Sequence, residues 1–184
     1  MKQSMSNEVV IDIQTGDLLF CYGGENEYFF DFTINNVRHC CYDHIAMAVR
    51  NPCFKDFTAT GLYVLEIDNY LSGLKNRIKI TTFDEFVRGR KRIDIRCWFH
   101  MPDRYKIKLN NIYVNVTDTP YSRLCCFKRY KYDKYFFNGE LIAYCLREMG
   151  IFKPNKFLEH YEPADFSKDI DGMPSGLGNL IRLL

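Results

Sequence analysis

The sequence holds a single tryptophan in 184 residues, and nowhere a run of the roughly 18 apolar residues that a helix needs to cross a bilayer. Its start, MKQSMSNEVV, lacks the apolar core of a secretory signal. An excess of charge is missing too: the formal net charge is +2, too little for a chain-wide field that draws nucleic acid. The eight cysteines lack the density of a disulfide scaffold, and the adjacent pairs Cys40-Cys41 and Cys125-Cys126 lack the CxxC spacing of a zinc ribbon. No internal repeat, low-complexity block or linker divides the chain. These absences lead us to expect one domain over residues 1–184, intracellular and reduced, with no transmembrane segment, no cofactor and no metal. The sequon Asn115-Val116-Thr117 is then a chance match.

What is present is a globular balance, with 47% hydrophobic and 26% charged residues. Thirteen tyrosines and fifteen phenylalanines predict a core rich in rings, since each ring buries a large area. One local stretch departs from the even charge. Lys128, Arg129, Lys131 and Lys134 alternate with Tyr130, Tyr132 and Tyr135, a pattern that suits phosphates and stacked bases. With no support from the overall charge, a solvated loop explains it as well.

Along the chain, residues 17–22 read as a buried strand after the turn Thr15-Gly16. Residues 44–50 and 62–67 read as two further strands, an antiparallel pair with a fairly long connection. Residues 77–81 alternate as a half-buried strand does. Thr82 then precedes a short helix over 83–87 with Asp84 and Glu85 in its first turn, and 93–99 is another strand. The spacing in 106–116 is partly helical and partly strand-like and stays open. Residues 138–149 form the clearest helix, with Leu141, Ile142, Cys145 and Met149 on one face and Gly150 as its stop. The tail reads as turns and one last short element. The class is α+β, a central antiparallel sheet with helices grouped after it.

Three places are suited to chemistry. His44 opens an apolar strand, where an imidazole at the sheet's end can act as a general base, although a histidine there is more often structural. Glu66 lies in the apolar run Val64-Leu65-Glu66-Ile67, so it needs a partner. It can orient His44 as the third member of a triad does, or form an edge salt bridge. Asn138 opens the late helix, in the positive field where a thiol enzyme places its cysteine. An asparagine there is also a good helix cap and not a thiolate-type nucleophile.

At these segments the chain resembles the circularly permuted NlpC-type papain-like families: YiiX-like bacterial proteins, a related poxvirus family and, more remotely, lecithin retinol acyltransferase. Thr15-Gly16-Asp17-Leu18-Leu19-Phe20 resembles their "TGDLLF" strand, Asp43-His44-Ile45-Ala46-Met47 their "SHIGI" strand, and Tyr63-Val64-Leu65-Glu66 their "YVLES" strand. Pro120-Tyr121 and Pro163-Ala164-Asp165-Phe166 are similar to their "PYD" and "PxDF" turns, and Asn138-Gly139-Glu140-Leu141-Ile142-Ala143 to their "CSELVA" helix. The matches run in order from about residue 13 to residue 166 and cover most of the chain. The resemblance implies a papain-like fold with His44 as base and Glu66 as its orienting group. It puts the nucleophilic cysteine at position 138, where this chain has asparagine.

The leading expectation is therefore a papain-like pseudoenzyme. Its cleft between His44, Glu66 and the Asn138 helix would hold a lipid, peptide or protein ligand. The alternative is an active hydrolase or acyltransferase on lipid esters, amides or peptides, with another cysteine as nucleophile: Cys125 or Cys126, or less readily Cys145, which should be buried among Leu141, Ile142 and Met149. A third reading, a metal-stabilised interaction module, rests on His39, Cys40, Cys41 and His44 crowding into six residues, although the spacing matches no common zinc finger. One of the similar families being poxviral, a virion or infected cell is a setting the resemblance suggests.

Overall fold

The computed structural model describes residues 11–22, 42–54, 57–68, 77–98, 101–117, 137–168 and 176–184. Within them, six strands build one sheet: β1 (Leu18–Tyr22), β2 (Tyr42–Arg50), β5 (Leu62–Asp68), β6 (Arg77–Thr82), β7 (Ile93–Trp98) and β8 (Leu177–Arg182). Their order is β6-β5-β2-β1-β7-β8, and every pairing is antiparallel. The connection from β2 to β5 carries a small hairpin, β3 (Cys53–Phe54) with β4 (Phe57–Thr58). The helices are α1 (Phe83–Val87), α2 (Asp103–Thr117), α3 (Phe137–Met149) and α4 (Pro163–Ser167), with a 3-10 turn at Leu158–His160.

The α+β class and the antiparallel sheet agree with the sequence reading. The short helix α1 lies between β6 and β7, where it was read, but the remaining helices do not end the chain, which returns to the sheet as β8 after α4. By pairing along β7, β8 covers backbone groups that would otherwise form an edge. The segment left open at 106–116 is helical, because Leu109 and Ile112, three apart, turn the same way into the core. The short helix begins as read, with the Thr82 hydroxyl accepting from the Glu85 N–H at 3.2 Å.

Strand alternation divides the core in two. On one side of the sheet, Leu18, Phe20, Ile45, Met47, Val49, Leu65 and Ile67 pack against Leu109 and Ile112 of α2, Leu141, Ile142, Cys145 and Met149 of α3, and Phe166 of α4. On the other, Leu19, Cys21, Ala46, Ala48, Val64, Ile93 and Ile95 pack against Ile13 and Phe86 of α1. Each large apolar side chain removed from water here stabilises the fold by about 1.5–3 kcal/mol.

The Thr15-Gly16-Asp17 turn ties the sheet together. Gly16 has φ +96°, a backbone conformation that other residues adopt only with strain. Asp17 is buried. Its Oδ1 accepts from the Trp98 N–H at 2.5 Å and its Oδ2 from the Gln14 N–H at 2.8 Å, which fastens β1 to the end of β7. Burial still raises the Asp17 pKa, against the lowering effect of those two hydrogen bonds.

Candidate functional site

Glu66 sits in β5 with Val64 on one side and Ile67 beyond it, and only 3% of its surface is exposed. Four neighbours account for the charge. His44 Nε2 lies 2.8 Å from Oε2, and Arg90 donates to the same oxygen at 3.2 Å. Thr81 donates its hydroxyl to Oε1 at 3.2 Å, and the Lys79 ammonium stands 3.6 Å from it. Sheet register explains the convergence. Lys79 is the direct partner of Glu66 on β6, and Thr81 is two residues away on the same face. His44, on the other neighbouring strand, shares the face of Ala46 and of Ala48, the partner of Val64.

Burial pushes the Glu66 carboxyl upward. The hydrogen bond from His44 and the charges of His44, Arg90 and Lys79 outweigh it and bring the pKa below the ordinary value. An ionised carboxylate only accepts, so Nε2 carries the proton in this bond, and in the neutral ring Nδ1 is the basic nitrogen. The imidazole is itself buried, at 8% exposure, with its ring centroid 6.1 Å from that of Phe86. Arg90 lies 4.2 Å over the same Phe86 ring and donates from Nε to the Phe86 carbonyl at 2.7 Å. The cluster is thus a brace that joins β2, β5 and β6 to α1 and the turn after it.

The structure brings together two of the three expected site residues. His44 and Glu66 face the Phe86 side of the sheet, whereas α3 packs by Leu141, Ile142 and Cys145 onto the Ile45, Met47 and Val49 side. The body of that helix and the His44–Glu66 pair thus lie on opposite sides of the sheet. Asn138 also lies within the helix rather than just before it, since α3 begins at Phe137. Gly139 explains the tight packing of this end: a Cβ there would lie 2.1 Å from the Tyr161 carbonyl oxygen.

The other chemistry-bearing candidates separate similarly. Cys145 is fully buried in α3, as expected from its neighbours, and burial pushes its thiol up to about 12. Cys21 is the register partner of His44 on β1 and shares its face, but only 2% of it is exposed. His39, Cys40, Cys41, Pro120, Tyr121, Cys125, Cys126 and the stretch from Lys128 to Tyr135 lie outside the described residues. Among the described residues no group of three or more His, Cys, Asp or Glu side chains is placed to hold a metal ion. No helix among them is long and apolar enough to cross a membrane.

Another buried carboxylate, Asp94, escaped the sequence reading. Asp94 in β7 is 2% exposed and turns to the helix side. It accepts the Tyr42 hydroxyl and takes a two-pronged contact from Arg92, at 3.2 Å from Nε and 2.6 Å from the terminal nitrogen. Burial raises its pKa, and the hydrogen bonds from Arg92 and Tyr42 and the charges of Arg92 and Arg182 lower it further than that. The signal was the same as for Glu66, a lone carboxylate between apolar residues of a strand, here Ile93 and Ile95, there Leu65 and Ile67. No protein-family model matches this chain, and neither does any curated protein or any solved structure.

Proposed function

We propose that this chain is a catalytically silent binding protein of papain-like ancestry, in which His44 and Glu66 serve as a structural brace and not as base and orienting acid. Support for the ancestry comes from the antiparallel adjacency of the His44 and Glu66 strands and from a late helix laid on the same sheet. The observation that carries the silent reading is the direction of His44. The ring points to Glu66, Arg90 and Phe86, away from the side that α3 covers. A nucleophile on that helix has no base to serve it, so asparagine at position 138 costs the protein no chemistry. The brace instead holds α1 and the surface around it in one arrangement for a ligand or protein partner.

The reversion Asn138→Cys tests this reading with a general esterase substrate and a thiol-directed acyl probe. The expected outcome is no turnover, with any labelling of the introduced thiol unchanged by His44→Ala. Labelling or turnover that requires His44 would mean that the base does reach the helix start, and the reading would fall.

A further inference from the structure

We propose that the turn between α1 and β7, with the sheet end beside it, docks a single-stranded nucleic acid. The turn reads Arg88-Gly89-Arg90-Lys91-Arg92, four cations in five residues. Two of them are fixed from within: Arg90 by Glu66 and Arg92 by Asp94, each a buried carboxylate. The other two, Arg88 and Lys91, are exposed, and among the described residues their side chains have no hydrogen-bond or ion-pair partner. Gly89, at φ +80°, makes the bend, with open space around it.

The neighbouring strands extend the patch. Tyr22 at the end of β1 donates its N–H to the Arg92 carbonyl at 3.2 Å, and Arg92 stands 5.3 Å over its ring. Arg182 of β8 pairs with Asp94 in register, and its side chain is 65% exposed. Tyr22 on β1, Arg92 just before β7 and Arg182 on β8 thus stand near one another at one end of the sheet, and Tyr22 keeps 39% of its surface open. The described acidic groups near it are Glu66 and Asp94, buried under arginines of the patch, and Asp84 and Glu85 of α1, Glu85 lying three residues before Arg88.

Guanidinium groups fork onto phosphate oxygens, and arginines held in place by buried carboxylates lose less freedom in doing so. Tyr22 carries Arg92 over one side of its ring and keeps its remaining surface half open, an arrangement suited to stacking an unpaired base. The turn from 88 to 92 carries no apolar side chain, while Ile181 and Leu184 beside Arg182 are exposed, so a membrane surface is the competing occupant that the test separates. The small net charge of the chain does not oppose this, because the contact is local.

The test is fluorescence anisotropy of the full chain with a labelled single-stranded oligonucleotide across a salt series, beside pelleting with phosphatidylserine vesicles. The wild type should bind the oligonucleotide at about 50 mM salt, with affinity falling as salt rises. Arg88→Ala with Lys91→Ala should weaken binding about tenfold or more and lower the log–log salt slope by about 1.4, since each lost phosphate contact removes about 0.7. Tyr22→Leu should weaken it about tenfold by loss of stacking. Lys153→Ala with Lys168→Ala, an exposed pair of equal charge elsewhere, should leave binding unchanged. If the alanine pair disturbs folding, Arg88→Gln with Lys91→Gln keeps the side-chain stems and removes the charge. Three results overturn the proposal: no salt-dependent binding, an equal loss in the Lys153 and Lys168 control, or binding to vesicles and not to the oligonucleotide.

Discussion

Glu66 and Asp94 are buried carboxylates on opposite faces of one sheet, and each fastens one arginine of the same five-residue turn, Glu66 taking Arg90 and Asp94 taking Arg92. The arginines are two apart in the turn, yet they end on opposite sides of the sheet. The turn after α1 is in this way gripped from both faces.

Removing the first grip should be costly. Glu66→Gln leaves His44, Arg90 and Lys79 facing an amide in place of an anion, with the carboxylate's site almost closed to water. We expect a loss of about 2–3 kcal/mol in urea unfolding. Lys79→Ala should cost under about 1 kcal/mol, because the ammonium is a third exposed and 3.6 Å away. Equal losses in the two variants would mean that Glu66 is not the centre of the brace.

The same pair sets the acid limb of stability. Both carboxyls titrate below their ordinary values of 4.5 and 3.8 in the folded chain, where cations and hydrogen bonds outweigh burial. The unfolded chain therefore takes up protons first. The contribution is complete above those ordinary values and is lost as the pH falls through the lower folded ones. Asp17 runs the other way. Burial raises its value, so its contribution is full below 3.8 and shrinks as the pH rises through the folded value. Urea midpoints should drop steeply below about pH 4, and Glu66→Gln with Asp94→Asn should flatten that drop. An unchanged limb in the double variant would show that other carboxyls set it.

Gly139→Ala should destabilise by about 1–3 kcal/mol. The added methyl would lie 2.1 Å from the Tyr161 carbonyl oxygen and 2.9 Å from the Glu162 Cα, both backbone atoms that cannot swing aside. A thermal midpoint equal to wild type would show that α3 does not approach residues 161 and 162 so closely.

Cysteine labelling resolved by peptide mass spectrometry checks the burial of the thiols. Cys53 is exposed and should react with a maleimide in the native state, whereas Cys21 and Cys145 should react only on unfolding. Native labelling of Cys21, lost in His44→Ala, would instead make it a thiol activated by its cross-strand neighbour.

Much of this was legible in the residues themselves. The strands around His44 and Glu66, their antiparallel pairing, the Thr82 cap and the buried face of α3 follow from alternation, β-branching, capping and period, which act over a few residues. The need of Glu66 for a partner was legible as well, and the same reasoning would have found Asp94 between Ile93 and Ile95. Even the face of His44 had a trace: Ile45, Met47 and Val49 offer a helix more to bury than Ala46 and Ala48 do.

What only the tertiary structure decided is which side of the sheet α3 covers, that β8 closes along β7, and that Arg90 and Arg92 end on two different carboxylates. Alternation assigns His44 and Ile45 to opposite faces but does not say which face a distant helix will take. That depends on the packing of side chains far apart in sequence, where the larger apolar area removed from water wins.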